Sequence, residues 1–146
     1  MAEKRYGYTA QSQRGDHNYI YRPLVDVRLS SDSKSRTFKA LVDSGTEITV
    51  MDQSIAALLD ISSAEREHGI LSGLESWKEG FIAPVSLEFE GFDEVFNFRV
   101  LFIEDLHRNF EIILGQQDFF NTFIVRFEKH RDLFFLDRAP TEDEGK

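Results

Sequence analysis

An apolar run, Ala40-Leu41-Val42, leads into Asp43-Ser44-Gly45-Thr46, and the chain continues as Glu47-Ile48-Thr49-Val50. An acid among small polar residues at a strand end is placed for proton transfer. Hydrolysis of a peptide bond by water needs a base for the water and an acid for the carbonyl oxygen. Two carboxyl groups sharing one proton do both jobs, because like charges that close together cannot both ionise. Asp43 could supply one such group. Asp, Ser and Gly are also ordinary turn residues, so this loop needs support from elsewhere in the chain.

The support lies downstream, in Glu111-Ile112-Ile113-Leu114-Gly115-Gln116-Gln117-Asp118-Phe119-Phe120. Between the two lies Glu67-His68-Gly69-Ile70-Leu71-Ser72-Gly73-Leu74. An apolar strand into Asp-Ser-Gly-Thr, a glycine-bearing middle segment and Ile113-Leu114-Gly115 before a short helix resemble the retropepsin-like aspartic proteases. The three elements stand in the family's order. The resemblance covers about residues 20 to 136.

It implies an all-β, closed barrel-like acid-protease fold with short helices, one lobe per chain. It implies Asp43 as the catalytic residue, with Ser44, Gly45 and Thr46 completing the active-site loop. Ser44 would hydrogen-bond to a partner loop. Gly45 would bring its N–H to a carboxylate, and Thr46 its hydroxyl to the outer carboxylate oxygen. Ile113, Leu114 and Gly115 would form the strand that supports the loop. Gly69, Ile70, Leu71, Ser72 and Gly73 would form the flap over bound peptide. Gly69 and Gly73 would allow motion and close approach, and Ile70, Leu71 and Leu74 would cover apolar side chains. Trp77 would brace the flap or pack on its hairpin.

The chain has a single Asp-Ser-Gly, whereas pepsin-type enzymes carry two such loops in a longer chain. The resemblance therefore implies a homodimer with one Asp43 from each chain on a two-fold axis. The expected partners are the chain itself and a polypeptide substrate. No cofactor is implied. A non-catalytic dimer of the same fold, binding peptides or serving as a dimerisation module, is the alternative.

The chain also departs from the retroviral pattern. Thr46 stands where Ala is usual, Glu47-Ile48 where an acidic pair is usual, and Gln116 where an Arg is frequent. Arg22 is then a candidate partner for Glu47. The polar chain ends point to Leu133–Leu136 as the dimer contact.

The elements that must position these residues read mostly as strands. Val25, Val27 and Leu29 alternate with polar neighbours, and Thr37–Val42 returns to deliver Asp43. Asp52 is a fair helix N-cap ahead of an Ile55, Leu58, Leu59 stripe. Phe81–Phe89, Val95–Ile103, Phe123–Phe127 and Leu133–Leu136 complete a set of short strands that reads as a closed barrel. Residues 1–18 read as a flexible polar arm, 19–137 as the protease domain and 138–146 as an acidic tail.

Composition agrees. Of 146 residues, 41% are hydrophobic and 29% charged, which is globular. Fourteen Phe predict an aromatic core. A net charge of −9 argues against nucleic acid as a partner. No stretch is long and apolar enough to predict a membrane span. The absence of Cys excludes disulfides and fits a cytoplasmic location. His17, His68, His107 and His130 have no metal-ligand spacing, and no His-Glu-x-x-His, Gly-x-Ser-x-Gly or phosphate-loop motif occurs.

Overall fold

The structure, a computed structural model, describes residues 3–12, 17–31, 34–61, 67–72 and 77–141. In chain order its strands are β1 (Lys4–Gly7), β2 (Thr9–Ser12), β3 (Tyr19–Arg22), β4 (Leu24–Ser30), β5 (Ser35–Val42) and β6 (Thr49–Asp52). Helix α1 (Gln53–Leu58) follows, then β7 (Glu67–Ser72), β8 (Trp77–Phe89), β9 (Val95–Ile103) and β10 (Ile112–Leu114). Helix α2 (Phe119–Thr122), β11 (Phe123–Glu128), a 3-10 turn (Lys129–Arg131) and β12 (Leu133–Arg138) complete it.

Alternation sets which face each strand buries. Val25, Val27 and Leu29 of β4 point inward, as do Val85, Leu87 and Phe89 of β8 and Phe96, Phe98 and Val100 of β9. The strands run β4-β5-β10-β6-β9-β8, and β8 pairs back onto β4, with Val27 opposite Phe89 and Leu29 opposite Leu87. This closes a six-stranded barrel. Its interior is aromatic. Phe89 meets the rings of Phe96, Phe98, Phe119 and Phe123 at centroid distances of 5.1 to 5.8 Å. Edge-on and tilted aromatic contacts of this kind add to the area they bury.

Helix α1 begins where the sequence predicts. Asp52 accepts from the Ser54 N–H at 3.0 Å and from the Leu106 N–H at 3.0 Å. Burial pushes the Asp52 carboxyl up, but these bonds, one from the Ser54 hydroxyl and nearby Lys78 outweigh it and hold the group below its ordinary value.

Two features differ from the sequence reading. Within residues 1–18, expected to be a flexible arm, β1 and β2 are strands. β1 lies antiparallel on β12, and Tyr6 stacks on Phe134 with centroids 5.1 Å apart. β2 pairs with β3. Local polarity hid both, because their pairing partners are remote or aromatic. Second, β12 is the central strand of a β1-β12-β11 sheet. Both its edges over Leu133–Leu136 are filled within the chain, so that segment has no edge to offer a second chain. The last part of the acidic tail, residues 142–146, lies outside the described residues.

Candidate active site

The site forms where β5 ends and β6 begins. These two strands are not neighbours, and β10 lies between them. β10 is parallel to β5, with Leu114 beside Val42, and antiparallel to β6, with Ile112 beside Met51. The loop from Asp43 to Ile48 therefore bridges over the end of β10. Its backbone is tied down from behind. The Asp43 N–H donates to the Leu114 carbonyl at 3.1 Å, and the Gln116 and Gln117 N–H groups donate to the Thr46 and Glu47 carbonyls at 2.7 Å each. The Val42 N–H donates to the Pro23 carbonyl at 3.0 Å, which adds the start of β4 to the support.

Gly115 explains the Ile113-Leu114-Gly115 pattern physically. A Cβ there would lie 2.7 Å from the Thr46 carbonyl oxygen and from the Ile48 carbonyl carbon and oxygen. Only glycine lets the crossing strand pass this close. Its N–H donates to the Thr49 hydroxyl at 3.2 Å, which gives that fully buried side chain a partner.

The Asp43 carboxyl is half-buried and held by its own loop. Oδ1 accepts from the Gly45 N–H at 2.9 Å, and Oδ2 accepts from the Thr46 hydroxyl at 3.2 Å. Ser44 and Gly45 are exposed. The Ser44 carbonyl accepts from the Gln116 side-chain amide. Glu47 is exposed, and Arg22 does not reach it. Arg22 instead donates to the Gln11 side chain at 2.8 Å and lies over the Phe110 ring. The extra β2–β3 hairpin captures it. The same hairpin is bound to the β9–β10 loop through Gln11, whose amide donates to the Asn109 carbonyl at 2.6 Å. In that loop His107 stacks on Phe110, and burial, with Arg22 and Arg108 nearby, holds its pKa below the ordinary value.

The middle segment forms a hairpin, with β7 antiparallel to β8 from Glu67–Ile82 to Ser72–Trp77. Its two faces differ. Leu71 and Ile82 pack on a cluster of Val50, Leu101 and Ile103 that Ile48 and Ile113 also touch. This face looks toward the Asp43 loop. Ile70 and Trp77 lie on the other face and are 58% and 62% exposed. Among the described residues Trp77 is therefore largely uncovered, and Ile70 does not join the covered face. Gly69 is not at the hairpin tip. It sits inside β7, opposite Gly80. Gly73 and Leu74 lie outside the described residues. Lys78 donates to the Glu104 and Asp105 carbonyls at 3.1 and 2.8 Å, fastening the hairpin to the turn after β9. Among the described residues, no group of three or more His, Cys, Asp or Glu is placed to hold a metal.

Gln116, Gln117 and Lys78 are the supporting residues that sequence reasoning missed. Each acts on remote backbone carbonyls, which leave no mark in a local pattern. The one available signal was Gln116 at a position where Arg was expected.

No protein-family model matches the sequence, and no curated protein matches it. Solved structures do. A retropepsin-like aspartic protease from Rickettsia conorii superposes with a TM-score of 0.61 at 14% identity, over 93% of this chain and 99% of that one. EIAV protease complexed with the inhibitor HBY-793 matches at 0.49 and 22% identity, over 71% of this chain and 88% of that one. The retroviral protease-like domain of Ddi1 from Leishmania major matches at 0.48 and 18%, over 85% and 98%. The first of these places the chain's fold as that of the retropepsin-like aspartic proteases.

Proposed function

We propose that this chain, having the fold of a retropepsin-like protease, is an aspartic endopeptidase that works as a homodimer. One observation carries the reading. The Asp43 carboxyl stands at the end of a barrel strand with a backbone N–H on one oxygen and the Thr46 hydroxyl on the other. Such donors fix a carboxyl's orientation while leaving it open to water.

In the proposed reaction two Asp43 carboxyls, one from each chain, share a proton. The ionised one takes a proton from water, and the water oxygen bonds to the peptide carbonyl carbon. The protonated one gives its proton to the carbonyl oxygen. The tetrahedral intermediate then collapses: one of its hydroxyls returns a proton to the ionised carboxyl as the carbonyl reforms, the C–N bond breaks, and the leaving nitrogen takes the proton of the other carboxyl, which leaves the dyad with one shared proton again. No cofactor or metal enters. Ser44 would lock the two loops together, and Ile113, Leu114 and Gly115 support them from behind. The β7–β8 hairpin, through Gly69 and Leu71, would cover the substrate. The apolar surface shared by Leu71, Ile82, Ile48 and Ile113 favours an extended, apolar-rich polypeptide. A cysteine-free chain suits a reducing cytoplasm.

The test compares wild type with Asp43→Asn on an unfolded protein mixture from about pH 4 to 7, the range around a carboxyl dyad's titration. Fragments are read by mass spectrometry and oligomeric mass is measured on the same samples. Cleavage by wild type and none by an equally dimeric variant is the expected result. If both are dimers and neither cuts, the reading is wrong and peptide binding becomes the function to measure.

A further inference from the structure

We infer that Gln116 is a positioning residue for Asp43, holding by a neutral hydrogen bond the peptide unit that donates to the Asp43 carboxyl. The inference rests on the proteolytic reading above. A carbonyl only accepts, so the NH2 end of the Gln116 side chain must face the Ser44 oxygen. That carbonyl and the Gly45 N–H belong to one planar peptide unit. Its N–H end donates to Asp43 Oδ1 at 2.9 Å, and its C=O end is held by Gln116. Rotating the plane breaks both bonds at once. The backbone N–H of Gln116 also holds the Thr46 carbonyl at 2.7 Å, so one residue grips the loop on both sides of Gly45.

The chemistry of the grip matters as much as its place. Ser44 and Gly45 are exposed and glycine is permissive, so this peptide unit has little else to fix it. The other ties to the loop run to Asp43, Thr46, Glu47 and Thr49, and the Thr46 N–H closes the turn on the Asp43 carbonyl at 3.3 Å; none of these bonds is made by the Ser44–Gly45 peptide unit itself. An ion pair in this position would fade as its carboxylate protonates in acid. An amide does not titrate. The Gly45 donor therefore keeps its aim through the acid range in which a carboxyl dyad works.

Gln116→Glu makes the idea testable, because the introduced carboxyl can donate to the Ser44 carbonyl only when protonated. The neutral form is favoured in the fold, so the grip is present at low pH and lost as pH rises through the raised pKa of that group. Hydrogen exchange of the peptide spanning residues 43–47 reads the loop independently of activity. Peptide hydrolysis reads the consequence. Gln116→Glu is expected to match wild-type exchange protection near about pH 4 and to lose it near about pH 7, with kcat following and KM little changed. Gln116→Ala is expected to exchange faster at both values and to lose about tenfold in kcat, the order of one hydrogen bond. Circular dichroism confirms that each variant is folded. Exchange in Gln116→Glu that shows no pH dependence beyond wild type's, or wild-type exchange in Gln116→Ala, overturns the inference whatever the activity. If the exchange pattern holds but wild type cuts no peptide, the grip stands, while the protease reading and Gln116's catalytic purpose both fall.

Discussion

Gly115 is the residue on which the loop's geometry turns. The atoms a Cβ would meet there, at 2.7 Å, are all backbone, from Thr46 and Ile48. They cannot rotate away as a side chain can. Gly115→Ala should therefore push the Asp43 loop off β10 and cost about 3 kcal/mol, at the upper end for overpacking. A chain of this size would lose roughly 6–12 °C in Tm, measurable by calorimetry, with activity lost as well. An unchanged Tm would mean the loop is slack. Tyr6 offers a second test at this scale. Its hydroxyl donates to the Glu90 carbonyl, and burial, with help from Glu90, raises its pKa to about 12. The neutral phenol is the form the fold prefers. Its contribution is thus complete below about pH 10 and is lost as pH rises toward 12. Tyr6→Phe should be less stable at neutral pH and should flatten the alkaline part of the stability curve, as denaturant melts from pH 8 to 12 would show. The loop was legible in Asp43, Gly45 and Thr46 because they bond to one another within four residues, and Gly115 only through its place in the Ile113-Leu114-Gly115 pattern, since the atoms that require it belong to Thr46 and Ile48. Gln116 was not, because its role is defined by a carbonyl 72 residues away.

Among the elements, the β7–β8 hairpin shows what glycine does in a strand. Gly69 and Gly80 sit opposite each other where the hairpin leaves the barrel. Their surroundings are unlike. A Cβ at Gly80 would lie 1.9 Å from the Phe102 carbonyl oxygen, whereas at Gly69 it would meet the side-chain methyls of Leu101 and Ile82 at 2.7 and 3.0 Å. Backbone cannot give way as methyls can. Gly80→Ala should cost about 3 kcal/mol or prevent folding, and Gly69→Ala about 1 kcal/mol, as urea denaturation would measure. Equal costs would contradict the register of this hairpin. The barrel strands were legible because each has one face in an apolar core and so alternates. β1 was not, since Lys4-Arg5-Tyr6-Gly7 holds a single apolar ring, and the strand exists because β12 lies beside it. The place of Arg22 is hidden for a related reason: the β2–β3 hairpin, which its own segment does not announce, brings the Gln11 side chain within 2.8 Å of it.

At the scale of the whole molecule, one chain brings one Asp43, and the proposed chemistry needs two. β12 is enclosed between β1 and β11, so the outer edges of β1 and β11 are what this sheet retains for another chain. A shared site makes a quantitative demand on mixtures. Wild type and Asp43→Asn, combined in equal amounts and allowed to exchange subunits, should form wild-type, mixed and variant dimers in random proportion. If both carboxyls are needed, only the wild-type pairs cut, and about one quarter of the activity of the same total of wild type remains. If each chain carried a complete site, one half would remain. Dilution supplies the independent check. A shared site loses specific activity once the protein falls below its dissociation constant, in step with the dimer fraction seen by analytical ultracentrifugation. Retention of one half, together with specific activity indifferent to dilution, would place the second proton-transfer group within the same chain and rule out a dyad of two Asp43 residues.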